Sequence, residues 1–575
     1  MLPAHSMRDL PRLRAETADC HIGRTHYHGT NIVRIGISRR LDVTASAQEH
    51  LQGDTDPKNV DLDEQNMEDR VNNRTLRPNS PAFQEFMTTG WQPQEPQIEP
   101  LESSKYTERR LRELGKRFPG ERLVIPAGSY KTRNNDNDYA FRPDTTFAYY
   151  TGLGEDYEPG AILVLDPVDP DSPEAAKGLT HTPELFVHPR ADQSTRDYYR
   201  SAQYGEYWVG PRAGLRELAV MTGIPTKDIA SFPDAIAKDL GPDQGAVKLR
   251  VIRTADQEVL NQVEAARKAN GIGGPDRNEE ADDKLEEFTS EARMIKDDYE
   301  VSEMRKAIAA TKDGFDRILT HLPQVVGKPR SERMLEGVFN ANAREKGNDV
   351  GYGSIIASGK HAPILHWMRN DGTVQKGDLL LIDAGVEVNS LYTADITRTF
   401  PVSGTFSPLQ KRIYQTVLKA QQAGFEAAKP GATYSDIHHA IMRVLAETLH
   451  EWGILKVSVE ESLSPQGQQH RRWHACGCAH HLGLDVHDCA EARYESYQGA
   501  PIAPGMIFTI EPGLYFKEND LLVPPEFRGI GVRVEDDVLM TEEGPQWLSA
   551  GIPKTVEEVE AWMAERAALA DPDRD

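Results

Sequence analysis

Residues 379–400 read LLLIDAGVEVNSLYTADITRTF, in which apolar runs surround two aspartates. Four apolar residues lead into Asp383, and Asp395 precedes another β-prone run, so the pattern predicts two strands joined by a turn near Asn389. A carboxylate inside a buried strand is costly unless it is paired or bound to a metal. A single aspartate in such a position is more often a turn cap or a surface residue, so neither aspartate alone indicates a site.

Residues 479–488, AHHLGLDVHD, are rich in histidine. The histidines of this segment are His480, His481 and His487. A lone histidine is more often structural than a ligand, but a cluster beside Cys476 and Cys478 suggests a zinc site as one alternative. The Cys-x-Cys-x-His spacing lacks a second ligand pair at zinc-finger distance, which argues against that alternative.

Two further segments combine apolar strands with charged residues. Residues 506–515, MIFTIEPGLY, place Glu511 at a strand terminus just before Pro-Gly. In residues 529–538, GIGVRVEDDV, alternation along a strand directs Arg533 and Glu535 to one side and the valines to the other. A plain ion pair between Arg533 and Glu535 would also explain this last segment.

Taken together, these segments offer one set of candidate metal ligands. The set contains Asp383, Asp395, His480, Glu511 and Glu535. Four carboxylates and one imidazole are costly as buried charges without cations, but they suit two divalent ions that share bridging carboxylates. Hard oxygen ligands with a single histidine favour manganese, with cobalt, iron or zinc as alternatives.

The composition argues against several classes of protein. The 575 residues include 66 Lys and Arg against 90 Asp and Glu, a formal charge of −24. That balance argues against nucleic acid or an anionic membrane as a partner. The sequence has no apolar stretch long enough to span a bilayer and only four cysteines, which predicts a protein of the reducing cytoplasm.

The character of the sequence changes twice along the chain. Residues 1–104 are predicted to be a disordered arm, because their carboxyl-terminal part is rich in polar residues and proline. Residues 105–290 alternate strand-like and helical runs, which predicts an α/β domain, with an insertion near 256–290. Residues 291–575 are predicted to form a second domain, whose helices begin at capping patterns after Asp297, Ser407 and Thr433.

The motifs IDAG, ADITRTF, HHLGLDVHD, TIEPGLY and GIGVRVEDD, in this order, resemble the prolidase and aminopeptidase P family, the pita-bread metallopeptidases. Residues 139–152, YAFRPDTTFAYYTG, resemble the amino-terminal signature of the same family. The resemblance extends over residues 106–563. It implies an α+β fold, in which an α/β amino-terminal domain precedes a pita-bread catalytic domain, a curved and mostly antiparallel sheet with covering helices.

By this resemblance the candidate ligands divide between two metal ions. Asp383, Asp395 and Glu535 would bind one ion, whereas Asp395, Glu535, His480 and Glu511 would bind the other. A hydroxide bridging the two ions would then attack the peptide bond. The implied activity is removal of the N-terminal residue from peptides that carry proline in second position, by a homo-oligomer that is a dimer or a tetramer.

Other residues match family positions that act on the substrate. His366, in the segment ILHW, lies near the substrate in the family, and His487 steadies the substrate carbonyl and the tetrahedral intermediate. Arg533 matches an arginine beside the bridging glutamate, and Tyr515 matches a tyrosine of the site wall. Glu511 is the candidate proton carrier, because the proline nitrogen must be protonated before it leaves.

Two alternatives stay open on the same fold. An Xaa-Pro dipeptidase would use the same metals but would cleave only dipeptides. A binding protein without catalysis is the other alternative, since fold does not fix function. Such relatives are expected to lose ligands, whereas all five candidates are present here.

The sequence departs from the family pattern in two places. Eleven residues separate Asp383 from Asp395, one more than in close bacterial relatives, which predicts a changed loop. The position four residues before His480 is often histidine in the family but is Cys476 here, with His474 nearby as an uncertain substitute. The second departure affects the positioning of substrate more than the binding of metal.

Overall fold

A computed structural model describes residues 80–92, 98–135, 137–154, 159–242 and 246–570 of the chain. Its helices are α1 (Pro81–Met87), α2 (Ser104–Arg117), α3 (Thr145–Thr151), α4 (Pro173–Ala176), α5 (Asp197–Arg200), α6 (Glu206–Val209), α7 (Leu215–Thr222), α8 (Phe232–Ala237), α9 (Gln257–Ala269), α10 (Pro275–Ala292), α11 (Asp298–Val325), α12 (Ser331–Lys346), α13 (Pro408–Ala427), α14 (Tyr434–Glu451), α15 (Val459–Leu463), α16 (Tyr494–Tyr497) and α17 (Val556–Leu569). No helix in these ranges combines the length and the apolar character that crossing a bilayer requires.

Five strands of the amino-terminal domain form one sheet, and the strands of the second domain form several small sheets. The strands are β1 (Glu121–Pro126), β2 (Thr132–Asn134), β3 (Asn137–Asp138), β4 (Ile162–Pro167), β5 (His181–Val187), β6 (Thr226–Asp228), β7 (Lys248–Val251), β8 (Asp349–Val350), β9 (Ile355–Ser358), β10 (Leu379–Ala384), β11 (Val386–Glu387), β12 (Ile396–Pro401), β13 (Ile507–Ile510), β14 (Gly513–Phe516), β15 (Ile530–Arg533), β16 (Asp536–Thr541) and β17 (Gly544–Trp547). β2 and β3 form a separate two-stranded ribbon.

The amino-terminal domain is built around a mixed sheet with the strand order β6-β5-β4-β1-β7. β1 pairs antiparallel with β4 and parallel with β7, while β5 pairs antiparallel with β4 and parallel with β6. Both faces of the sheet are buried, because Leu123 and Leu163 belong to one apolar cluster and Val124 and Phe186 to another. The predicted α/β character of this region is confirmed.

The structure places a helix, α1, within the arm for which the sequence predicts disorder. Phe83 of α1 packs edge-on against Tyr199, with ring centroids 5.4 Å apart, and Trp91 contacts Tyr198 in the same way at 5.5 Å. These aromatic residues find partners on the first domain, which the polar composition of the arm as a whole does not reveal. The prediction for residues 1–79 falls outside the described residues.

The region near 256–290, predicted as an insertion, consists of the helices α9 and α10. Val259 and Val263 of α9 pack in the apolar cluster beneath the sheet. Arg267 and Asp282, both almost fully buried, join the two helices by an ion pair of 2.7 Å. The helices are therefore part of the core of the amino-terminal domain.

The second domain contains open sheets whose strand pairs are all antiparallel. The strand orders are β12-β10-β9, β13-β16-β17, β14-β15 and β11-β8. An isolated backbone bridge between Thr397 and Glu535 joins the sheet β12-β10-β9 to the link between β15 and β16. The predicted α+β fold, with an antiparallel pita-bread domain, is confirmed.

Long capped helices cover these sheets. The capping box predicted at Asp297 and Glu300 is present, and Ser407 and Thr433 cap α13 and α14 in the same manner. Each cap satisfies backbone N–H groups that the first helical turn leaves without partners. The helices pack over the sheets and leave the strand ends that carry the candidate ligands facing a common cavity.

Candidate metal centre

The two aspartates reach the centre from one pair of strands. Asp383 lies in β10, opposite Thr397 of β12, and Asp395 immediately precedes β12. Because the Thr397–Glu535 bridge continues this arrangement, Glu535 comes to the same place from the link between β15 and β16. The register of the sheet therefore brings three of the predicted carboxylates together.

His480 and Glu511 reach the centre from a second direction. Thr509 N donates to the carbonyl oxygen of His480 at 3.0 Å, and Glu511 N donates to that of Cys478 at 2.9 Å. The histidine segment thus runs alongside β13, and Glu511 stands just beyond the end of this strand, as predicted.

The five candidate ligands converge. His480 Nε2 lies 3.4 Å from Asp395 Oδ2 and 3.7 Å from Glu511 Oε1. Ligand atoms of Asp395, His480 and Glu535 all lie within 4.8 Å of one another, which in the described part of the chain is true of this group alone. Asp383 and Glu511 border the same cavity as these three residues.

Arg533 supports the centre from behind the aspartates. Its Nη2 donates to Asp383 Oδ2 at 2.5 Å, and its Nε donates to Thr397 Oγ1 at 3.1 Å. Thr397 Oγ1 in turn donates to Glu535 Oε2 at 2.7 Å. The ion pair of Arg533 is therefore with Asp383, and Thr397 connects the arginine to Glu535.

The centre has more buried carboxylates than cations. Burial raises the pKa of Glu535 well above its usual range, that of Glu511 to about 7, and that of Asp383 as well. Burial opposes the charge of His480, but Asp395 and Glu511 outweigh this effect and raise the pKa of the imidazole to about 9. Desolvated carboxylates around a single imidazole are a donor set that suits hard divalent ions, so the residues fit such cofactors.

The centre opens onto a cavity of about 560 Å³, the size of a small-molecule site. Both predicted substrate histidines, His366 and His487, line this cavity. The ring of His487 lies edge-on to that of His480, with centroids 4.6 Å apart. Burial and the charge of His480 lower the pKa of His487, which favours its neutral form. The remaining wall is largely apolar and includes Ile355, Leu365, Met368 and Val486.

Two other predicted residues lie behind the cavity wall. Tyr515, expected on the wall itself, is 4% exposed, and its hydroxyl accepts a hydrogen bond from Arg533 Nη1 at 3.0 Å. His474 is 1% exposed, and its Nδ1 lies 2.9 Å from Gly513 O. Because Cys476 lines the cavity instead, His474 does not replace the missing family histidine.

Sequence reasoning missed one residue of the centre, Tyr352. Its phenol oxygen lies 2.7 Å from Asp383 Oδ1 and 2.6 Å from Asp395 Oδ1. Burial and these carboxylates raise the pKa of Tyr352 well above its usual range, so it is a neutral donor. Gly351 beside it leaves no room for a Cβ next to Thr393, which signals close packing but not a metal site.

The family patterns of known proteins match both domains. The pattern of Metallopeptidase family M24 matches residues 302–542, which contain all five candidate ligands. The pattern of the aminopeptidase P N-terminal domain matches residues 106–247, which contain the segment 139–152.

Individual relatives extend over most of the chain. Xaa-Pro aminopeptidase 1 of Streptomyces coelicolor is 46% identical over 486 residues, 84% of this chain and 92% of the relative. Xaa-Pro aminopeptidase 2 of the same organism is 43% identical over 499 residues, 87% of this chain and 99% of the relative. The structure of Pseudomonas aeruginosa aminopeptidase PepP matches with a TM-score of 0.68 at 30% identity, over 82% of this chain and all of that chain. The chain therefore belongs to metallopeptidase family M24, as a peptidase of its Xaa-Pro aminopeptidase group.

Proposed function

We propose that this peptidase hydrolyses the bond between the N-terminal residue and a proline in second position, with two divalent metal ions as cofactors. The observation that carries the proposal is the convergence of five ligand side chains on one cavity. The names of the relatives, Xaa-Pro aminopeptidases, support the preference for proline.

We assign the candidate ligands to the two ions as the family resemblance implies. Asp383, Asp395 and Glu535 would hold one ion, and Asp395, Glu535, His480 and Glu511 the other. The short distances from His480 to Asp395 and Glu511 support the second group. Oxygen ligands with one imidazole favour manganese, with cobalt, iron or zinc as alternatives. When bound, two such ions supply a hydroxide at neutral pH and polarise the scissile carbonyl.

The side chains of the cavity wall are proposed to bind the substrate and to transfer a proton. His487 and His366 are proposed to hold the substrate by hydrogen bonds, with His487 at the scissile carbonyl, because both imidazoles face the cavity. Glu511 is proposed to carry the proton to the proline nitrogen, since this nitrogen is a poor leaving group until it is protonated. Arg533 keeps Asp383 in place through their ion pair.

The cavity suits a proline residue next to the scissile bond. A proline nitrogen carries no N–H, so the site needs no acceptor for that position of the substrate. Leu365, Met368 and Val486 offer an apolar surface against which a pyrrolidine ring can pack. A substrate with alanine in second position would bury less apolar surface there.

A comparison of three substrates tests this function. The purified protein, supplied with manganese, is assayed on an Xaa-Pro-Xaa tripeptide, the matched Xaa-Ala-Xaa tripeptide and an Xaa-Pro dipeptide. We expect a higher kcat/KM for the Xaa-Pro-Xaa tripeptide than for the other two substrates. Equal cleavage of the proline and alanine tripeptides would remove the claim of proline specificity, and cleavage of the dipeptide alone would identify an Xaa-Pro dipeptidase.

We also propose that the chain has an amino-terminal domain at 105–290 and a catalytic domain at 291–575, and that it acts in the cytoplasm as a dimer or tetramer. The family matches at 106–247 and 302–542 support the division. The formal charge of −24 and four cysteines support a reducing, aqueous compartment. Light scattering on the purified protein tests the oligomeric state, and a monomer would contradict it.

A further inference from the structure

Arg142 of the amino-terminal domain binds the catalytic domain at three points. Its Nε donates to Glu387 Oε2 at 2.8 Å, and its Nη2 donates to Leu484 O at 2.7 Å and to Asp485 Oδ1 at 3.2 Å. Thr145 Oγ1 donates to the same oxygen of Asp485 at 2.8 Å. We call Arg142, Thr145, Glu387 and Asp485 the interdomain clamp.

One side of the clamp is the connection between the two aspartate ligands. Glu387 lies in β11, between Asp383 and Asp395 in the sequence, and its side chain is 8% exposed. Its backbone is tied to the same connection through the isolated bridge to Thr393. The side chain of Glu387 therefore belongs to the connection that joins the two aspartate segments.

The other side of the clamp is the segment between His480 and His487. Asp485 and the carbonyl of Leu484 both belong to this segment. The segment also touches the aspartate connection directly, since Thr393 N donates to Gly483 O at 3.0 Å. Arg142 thus bridges the two polypeptide segments that carry three of the five candidate ligands and a substrate histidine.

The amino-terminal part of the clamp lies at the start of α3. Arg142 and Thr145 flank Asp144, which caps α3 by accepting hydrogen bonds from Thr146 N at 2.9 Å and Phe147 N at 3.2 Å. Phe147 is fully buried in the core of the domain. Arg142 therefore lies two residues before the N-cap of a helix that is anchored in the core of the domain.

We infer that Arg142 is a positioning residue of the active centre, through which the amino-terminal domain keeps the aspartate and histidine segments in register for metal binding and turnover. The clamp side chains are not among those that line the cavity, so they act through the segments that they hold. The inference rests on the proposed function for the nature of the centre. An arginine suits this task because its planar group can bond several acceptors at once, whereas a lysine acts as a point charge.

The variant Arg142→Gln tests the inference, with Arg190→Gln as a matched control. Arg190 also pairs with a glutamate, Glu206, through two nitrogen atoms, but both residues lie within the amino-terminal domain. Manganese affinity is measured on metal-stripped protein from the EPR signal of free Mn²⁺, and kcat and KM are measured on the Xaa-Pro-Xaa tripeptide. We expect Arg142→Gln to weaken manganese binding and kcat by about tenfold to a hundredfold, the usual effect of losing a group that orients metal ligands.

Further variants separate positioning from a general loss of structure. Arg142→Gln is expected to keep its thermal midpoint close to that of Arg190→Gln, because each variant takes an arginine from a nearly buried glutamate, 8% exposed at Glu387 and 6% at Glu206. Asp485→Asn should also weaken manganese binding and lower kcat. In the double variant Arg142→Gln/Asp485→Asn, the losses of manganese affinity should not add, since both residues belong to one hydrogen-bond network. KM should change less than kcat, because the clamp does not touch the substrate.

Two results would overturn the inference. One is an Arg142→Gln protein with the manganese affinity and kcat of Arg190→Gln. The other is a loss of both properties that merely follows a large drop in the thermal midpoint. The manganese titration needs no substrate, so a protein without Xaa-Pro activity whose manganese affinity still depends on Arg142 would contradict the proposed function and leave the clamp intact.

Discussion

The phenol oxygen of Tyr352 lies 2.6 Å from Oδ1 of Asp395. The same oxygen lies 2.7 Å from Asp383. A phenol has one proton and can donate it to one carboxylate at a time, so the second short contact requires a further proton or a cation in the centre. Tyr352 thus holds the two aspartates to one neutral donor.

Replacement of Tyr352 by phenylalanine tests this contact. The variant keeps the ring and removes the hydroxyl, so the aspartates lose a donor that orients them. We expect manganese affinity to fall by about tenfold to a hundredfold. The matched control is Tyr139→Phe, since Tyr139 is 58% exposed on the amino-terminal domain. Equal affinities of the two variants would show that the phenol has no role in ligand orientation.

Replacement of Asp395 by asparagine tests the bridging role. An amide keeps the shape of the side chain but loses the charge that two cations would share, so we expect kcat to fall by more than about a hundredfold. Asp349→Asn, at an exposed residue of β8, serves as the control. Wild-type turnover in Asp395→Asn would exclude this residue from the metal centre.

A prediction about stability concerns Arg398, which is fully buried behind the centre. Its Nη2 donates to Asp536 Oδ1 at 2.7 Å and its Nη1 donates to Glu535 O at 2.7 Å. Arg398→Gln leaves the charge of Asp536 without this partner, so we expect the free energy of unfolding to fall by about 3–5 kcal/mol.

Urea denaturation of the metal-free protein measures this loss. Arg443→Gln is the control, because Arg443 is 59% exposed and lies 3.9 Å from Glu447. An exposed pair of this kind contributes about 0–1 kcal/mol. If the two variants unfold at the same urea concentration, the buried network of Arg398 does not stabilise the domain.

The pH dependence of stability gives a fourth prediction, at His474. Burial lowers the pKa of this imidazole from 6.5 to about 4 in the folded protein. The unfolded chain therefore binds a proton below pH 6.5 that the folded chain accepts only near pH 4. The stability contribution of neutral His474 is complete above pH 6.5 and is lost as the pH falls to about 4, by about 3 kcal/mol.

The variant His474→Asn checks the sign of this effect. In metal-free protein, the free energy of unfolding of the wild type should fall more steeply between pH 6.5 and 4 than that of the variant. The slopes of the unfolding free energy against pH should differ between the two proteins by the equivalent of about one bound proton. Identical slopes would mean that His474 titrates in the folded state as it does in the unfolded state.

The parts of the centre that depend on local pattern could be predicted from the sequence. The pattern predicts two strands joined by a turn near Asn389, with Asp383 after the first apolar run and Asp395 before the second. The structure has a tight turn there, in which Leu391 N donates to Val388 O at 2.7 Å. A run of apolar residues indicates a buried strand, and a charged residue at its end indicates a possible functional site at the end of that strand. The same reasoning placed Glu511 at the end of β13.

Contacts between distant segments could not be predicted in this way. Tyr352 meets the aspartates from a short segment between glycines, and Arg142 reaches Glu387 across 245 residues of sequence. Periodicity describes which face of an element is buried but not which side chain of another element it meets. For the same reason the sequence could not show that Tyr515 supports Arg533 from behind the cavity wall.

The metal content of the protein tests the central claim most directly. The metal-stripped wild-type protein is loaded with manganese, desalted and analysed by inductively coupled plasma mass spectrometry, alongside an Xaa-Pro-Xaa assay of the same sample. We expect two manganese ions per chain and turnover that appears as they bind. A protein that retains no manganese, or that cleaves the tripeptide equally well without metal, would contradict this expectation.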